Sequence, residues 1–179
     1  MISIKDIPKF TSWGTYSVDI GWDFLEEQID SYVKESNLQL EPDFQRGHVW
    51  TTEQQVKYVE FCLKGGKSSR NLLFNNPNWS HDKSETYNDF VLVDGLQRLT
   101  AVLKFLRNEL VVFNNNYFKD FTDKPRVTLR GQRFHIYIND LSSKKEVLQW
   151  YLDLNSGGVI HSEEELNKVK SMLNTNENT

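Results

Sequence analysis

Apolar side chains recur at helical spacing in five stretches of the chain. Trp22, Leu25, Ile29 and Val33 fall on one face of a first helix. Val56, Val59 and Leu63 line the buried side of a second. Its start at Thr51 or Thr52 carries Gln54 or Gln55 at capping-box spacing, and Gly65-Gly66 ends it. Leu96, Leu99, Leu103 and Leu106 form a strict stripe on a third helix, Val147, Tyr151 and Leu154 mark a fourth, and Leu166, Val169 and Leu173 a fifth. Strand patterns are fewer. Phe90-Val91-Leu92-Val93 is a short continuous apolar run, as expected of a strand buried on both faces. Residues 133–138 alternate, with Phe134, Ile136 and Ile138 pointing one way. Residues 110–113 and 71–74 predict two more short strands. Helices and strands without regular alternation predict an α+β fold rather than a doubly wound sheet. No repeat and no Pro-rich or Gly/Ser-rich linker divides the pattern, so residues 1–173 are expected to form one domain, with 174–179 a polar tail.

Composition narrows the class. The chain has 179 residues, 38% hydrophobic and 26% charged, which is a globular rather than a disordered composition. Its apolar runs stop at four or five residues, far short of the roughly 20 a membrane-spanning helix needs. The amino-terminal residues show no charged-then-apolar signal pattern. One cysteine, Cys62, allows neither an internal disulfide framework nor a multi-cysteine zinc site. A cytoplasmic location is therefore expected. The net charge of −4 argues against a general duplex-DNA grip, which calls for a basic face. A local excess exists in Lys119, Lys124, Arg126, Arg130 and Arg133 against Asp120 and Asp123, and its simplest reading is a solvated face.

The chemistry concentrates in residues 91–100, Val-Leu-Val-Asp-Gly-Leu-Gln-Arg-Leu-Thr. A buried strand ends at Val93, a tight turn follows at Asp94-Gly95, and the leucine stripe begins at once. Backbone N–H groups at a helix start lack internal partners and carry the positive end of the dipole, an arrangement that attracts phosphate. Gly95 permits close backbone approach. An Arg in the first turn, Arg98, is unfavourable for the dipole unless an anion is near. Asp94 has three readings: a helix cap, a metal ligand, or an acceptor from Arg98. Alternatively, Asp-Gly is no more than a turn dipeptide. Two further segments add weight. Residues 41–50, Glu-Pro-Asp-Phe-Gln-Arg-Gly-His-Val-Trp, present a second Gln-Arg pair in an extended loop before a capped helix. Leu154-Asn155-Ser156-Gly157-Gly158 joins a helix end to a glycine pair, which suits either a backbone nest for an anion or a simple helix stop.

Together these boxes resemble the DUF262 group of the ParB/sulfiredoxin-like superfamily. The group's Asp-Gly-Gln-Gln-Arg signature, followed by Leu-Thr and an apolar helix, stands here as Asp94-Gly95-Leu96-Gln97-Arg98-Leu99-Thr100. Its Pro-x-x-Gln-Arg-x-x-x-Trp box is similar to Pro42 to Trp50, and its Asn-x-Gly-Gly box to Asn155-Ser156-Gly157-Gly158, followed by Glu165-Leu166. The resemblance covers about residues 40–170 and implies a small mixed sheet surrounded by helices. It also implies the amino-terminal half of GmrSD-type, modification-dependent restriction and phage-defence proteins, where this domain binds and hydrolyses nucleoside triphosphates with Mg2+ and regulates a nuclease. Carried over, Asp94, Gly95, Gln97 and Arg98 would form the phosphate loop, with Asp94 touching the metal. Gln45 and Arg46 would face the same pocket, Arg46 clamping phosphate. Asn155, Gly157 and Gly158 would close it. Catalysis would rest on Asp94, Arg98 and Arg46.

Two departures bear on this expectation. The first Gln of the signature is Leu96, so hydrolysis would be weakened while binding survives, or Leu96 simply extends the core stripe. No His-Asn-His nuclease motif follows residue 170, which implies a nucleotide sensor acting with a separate nuclease or host defence protein. Two other readings stand beside the nucleotide one. The first is a ParB-like DNA-binding or nicking module using residues 119–133. The second is a non-catalytic interaction protein, such as a phage-encoded decoy in the host cytoplasm. Cys62, in an apolar helix, reads as core rather than as a sulfiredoxin-type nucleophile. His48, His81, His135 and His161 lack zinc-site spacing, and only His48, beside Arg46, lies where a ligand would be touched. Ser156 and Ser162 have no triad context, and residues 163–165, three glutamates, read as helix-start acid.

Overall fold

The alternating residues 133–138 do form a strand, and the sheet is organised around it. A computed structural model of the protein describes residues 7, 10–14, 16–45, 47, 49–79, 87–121, 129, 131–155 and 163–175. Its strands are β1 (Tyr16–Gly21), β2 (Asn71–Asn75), β3 (Val91–Asp94) and β4 (Arg133–Asn139). They hydrogen-bond in the order β1-β4-β2-β3. β4 runs antiparallel to β1 and parallel to β2, and β2 runs antiparallel to β3. The helices among the described residues are α1 (Trp22–Ser36), α2 (Thr52–Leu63), α3 (Leu96–Leu106), α4 (Lys144–Asn155) and α5 (Glu163–Thr175). This is the expected α+β arrangement, a small mixed sheet with helices around it. No described helix is long and apolar enough to cross a membrane.

Strand alternation divides the interior in two. Leu72, Phe74, Leu92, Phe134, Ile136 and Ile138 point toward α1, α2 and α3 and meet Leu25, Ile29, Val59, Leu99 and Val102. Each fully buried side chain of this size contributes about 1.5–3 kcal/mol relative to exposure. On the other face Leu73, Val91 and Val93 meet Val147, Leu148, Trp150 and Tyr151 of α4 and Val169 of α5. β2 and β3 are therefore covered on both sides, which explains the continuous apolar run of β3. The α4-facing side of β1 and β4 carries Asp19, Arg133 and His135 instead.

Several expectations change in detail. Thr51 caps α2, and the reciprocal capping box uses Gln54. The buried stripe of α2 is Gln55, Tyr58, Val59 and Cys62, because the ring of Tyr58 and the thiol of Cys62 turn inward while Val56 and Leu63 lie at the margin. Val33, expected inside, is 40% exposed. Residues 110–113 do not form a strand. Leu110 and Val112 are buried, but Phe113 and Asn114 adopt left-handed φ of 47° and 71°, and Val112 bridges back to Asn116. The chain thus reverses before a strand can extend. β1 was not expected, since only Val18 and Ile20 alternate within it. Pairing with β4 supplies what its own pattern lacks.

Burial pushes the phenol of Tyr58 and the thiol of Cys62 up from their ordinary pKa, and that of Tyr87 likewise. The folded chain therefore holds these protons where the unfolded chain releases them, beginning near pH 8.5 for Cys and about 10 for Tyr. A folded state that binds more protons loses stability as pH rises. The urea midpoint is expected to be level up to about pH 8 and to fall steadily through about pH 10. A midpoint unchanged across that window would contradict the buried, neutral placement of these groups.

Candidate functional site

One residue separates β3 from α3. Gly95 has φ 112° and serves as the N-cap, with no side-chain cap on the helix. The first intrahelical bond is Leu99 N–H to the Gly95 carbonyl, 2.9 Å. The N–H groups of Leu96, Gln97 and Arg98 thus start the helix without internal partners. Gly95 is buried, and a Cβ there would lie 2.5 Å from Leu72 Cδ2 and 3.2 Å from the Asn71 carbonyl oxygen. Both the backbone angle and the close approach require glycine.

Just before this turn the register of β3 slips. Leu73 faces Asp94 while Phe74 faces Leu92, so Val93 is an extra residue on the β3 side. Bulges of this kind re-aim a side chain at the end of a strand. Of the three readings of Asp94, the structure adopts the third. Its Oδ2 accepts from Arg98 Nη2 at 2.6 Å, and the same Nη2 donates to the Asn71 carbonyl at 3.0 Å. The pair is 42% and 19% exposed at its side chains, and it offsets the cost of a cation in the first helical turn. Arg98 Nε is buried and has no hydrogen-bond partner among the described residues. An orphaned guanidinium N–H is uncommon in a native fold.

The second Gln-Arg segment lies against this turn. Gln97 Oε1 accepts from Val49 N–H at 2.9 Å and Trp50 N–H at 3.0 Å, and its Nε2 donates to the Gly47 carbonyl at 3.2 Å. Gln97 therefore positions the loop. Gln45 Nε2 donates to the Val93 carbonyl at 3.4 Å, tying the loop to the bulge. Phe44, 4% exposed, meets Tyr151 edge-on at 5.5 Å between centroids. Asp43 is held twice, its carboxylate by Lys144 at 2.6 Å and its carbonyl by Lys168 at 2.9 Å. Asn155 stands one turn beyond Tyr151, with Nδ2 folded onto the Tyr151 carbonyl at 2.6 Å. Leu96 is 4% exposed and belongs to the larger core. Asp94, Gly95, Gln97, Arg98 and Gln45 thus assemble at one end of the sheet, with Asn155 on the adjoining helix. Arg46, His48, Ser156, Gly157 and Gly158 lie outside the described residues.

Four contributors escaped sequence reading. Asn71 acts through its carbonyl, which no side-chain pattern reveals. The bulge at Val93 appears only when β2 and β3 are paired. Lys144 and Lys168 reach Asp43 across about a hundred residues of chain, and nothing local marks them. Among the described residues no group of three or more His, Cys, Asp or Glu side chains could hold a metal ion.

The GmrSD restriction endonuclease N-terminal domain family has a sequence model that matches residues 27–135, more than half of the chain, from within α1 to the start of β4. No curated protein and no solved structure matches it.

Replacing Gly95 by Ala forces a left-handed backbone and a clash with Leu72, and should cost about 1–3 kcal/mol in denaturant unfolding. An unchanged unfolding midpoint would contradict the close approach. In Gln97→Ala, hydrogen exchange at the amides of Val49 and Trp50 should accelerate, while exchange at Val102, in the middle of α3, stays as in the parent chain. Equal protection of the two loop amides in parent and variant would remove Gln97 from the loop's support.

Proposed function

The chain belongs to the GmrSD restriction endonuclease N-terminal domain family, a family associated with restriction and phage defence. From that premise we propose that the turn at Asp94–Arg98 binds the phosphates of a nucleoside triphosphate. One observation carries the reading: an uncapped helix start, reached through left-handed Gly95, beside a guanidinium whose Nε is buried and unpartnered among the described residues. Helix-start N–H groups and an Arg fork are complementary to phosphate oxygens.

The donor set fits magnesium of the kind that travels with a nucleotide. Such an ion needs only one or two protein carboxylates, the rest of its shell being phosphate oxygens and water. Asp94 gives Oδ2 to Arg98, and its Oδ1 has no hydrogen bond among the described residues. When bound, the ion would neutralise phosphate charge. Arg98 and the helix-start amides would bind and orient the phosphates, and Gln97 and Gln45 would hold the 45–50 loop beside them. Arg46 is a second proposed phosphate contact from that loop, and Asn155, Gly157 and Gly158 a proposed closing edge.

Leu96 favours sensing over rapid turnover. It occupies the position of the signature's first Gln and is committed to the core, so no amide is available there to orient water. In a restriction family the bound nucleotide would report to a nuclease, and that nuclease is the proposed partner.

Titration calorimetry with ATP, GTP, CTP and UTP in the presence of Mg2+ tests this directly. At least one nucleotide should bind in the micromolar range, and Arg98→Ala should weaken it about tenfold or more. Phosphate release should be slow. Absence of binding by all four nucleotides would overturn the proposal.

A further inference from the structure

A second cationic cavity opens at the same end of the sheet, outside the signature turn. Its volume is about 330 Å3, at the small end for ligand pockets. Asp19, Lys67, Arg70, Gly131, Arg133 and His135 line it. Its origin lies in the layering of the fold. Alternation sends Phe134 and Ile136 into the core and leaves Arg133 and His135 on the opposite face, beside Asp19 of β1. The helix that covers this face packs over β3 instead.

The charges there are unbalanced. Arg70 is only 6% exposed, yet no described carboxylate pairs with it. Its Nε donates to the Gly66 carbonyl at 2.8 Å, and its Nη2 to the Cys62 carbonyl at 3.1 Å, to Gln132 Oε1 at 2.7 Å and to the Gly66 carbonyl. Carbonyls at the end of α2 thus hold a desolvated cation in place. Its Nη1 makes no hydrogen bond among the described residues. Lys67 is exposed and has no ion-pair partner among them. Asp19 is the cavity's one carboxylate among the described residues, and His135 Nδ1 occupies its Oδ1 at 2.5 Å. Arg133 stands 3.6 Å from the other oxygen, a weak contact for an Arg. Among the described residues three full positive charges therefore face one negative charge, in a chain whose overall charge is −4.

We propose that this cavity is an anion site that takes a single phosphoryl group. Lys67 and Arg133 would close on its oxygens from the rim, and Arg70 would supply the fixed charge at the floor. A phosphoryl group spreads its charge over several oxygens and answers cations converging from three chain segments, whereas a carboxylate offers two oxygens in one plane. The cavity is too small for a base pair to enter beside the phosphate. It is joined to the signature turn by two consecutive residues. The Arg70 carbonyl accepts from His135 N–H at 2.9 Å, and the Asn71 carbonyl accepts from Arg98.

The test is a nitrogen-15 NMR titration of the whole chain with inorganic phosphate, thymidine 5′-monophosphate and a short DNA duplex. The amides of Gly131 and His135 report the cavity. Saturable shifts at both are expected in the parent chain and equally in Arg98→Ala, which separates this site from the nucleotide proposal. Lys67→Ala with Arg133→Ala, both at exposed positions, should weaken binding about tenfold or more and leave the rest of the spectrum in place. Shifts with phosphate or the mononucleotide alone would assign a free phosphate ligand. The same shifts with duplex, falling steeply with salt, would assign a nucleic-acid phosphate. No saturable shift at Gly131 and His135, or equal affinity in the double variant, would overturn the proposal.

Discussion

The passage of β3 into α3 through one residue governs this end of the molecule. Gly95 sits so close to Asn71 and Leu72 that the start of α3 is fixed against the neighbouring strand rather than swinging in solvent. That contact sets where Arg98 can reach. From there its guanidinium spans two anchors, a carboxylate on its own segment and a carbonyl on β2. The same rigid start orients Gln97 outward toward the loop and Leu96 inward toward the core. Adjacent positions of one motif thus serve opposite ends, one gathering a loop and the other filling the interior.

This division gives the unusual Leu96 a physical meaning. At the helix start a side chain either points into the core or toward the 45–50 loop, and 4% exposure assigns Leu96 to the core. A glutamine there would have to satisfy its amide within that apolar core or be displaced from it. The substitution therefore suits a tightly packed helix start, and what it removes is a polar group near the turn.

Legibility from sequence followed the range of the interactions. Helices α1 to α5 were readable because each carries its own apolar stripe, and the Thr51–Gln54 box is local by construction. β4 was readable from strict alternation. β1 was not, because two apolar residues among Ser17, Asp19 and Gly21 resemble a loop until β4 lies alongside. The segment after Leu110 misled in the opposite direction, since its apolar residues are buried through a turn rather than a strand. At the site, Asp94, Gly95 and Arg98 stood out by their type and spacing. The division of labour between Gln97 and the loop did not, because a glutamine's partners are backbone atoms fifty residues away. Arg70 was passed over as the residue before a strand, since nothing in the sequence marks a cation held by carbonyls.

The two lysines on Asp43 tie α4 and α5 to the loop that carries Gln45. Lys168 bonds the backbone of the loop and not merely a side chain. Phe44 seated on Tyr151 adds an apolar contact beside that bond. The loop that carries Gln45 is thereby held by charge as well as by apolar packing, so its place beside the end of β3 depends on side chains about a hundred positions further along the chain.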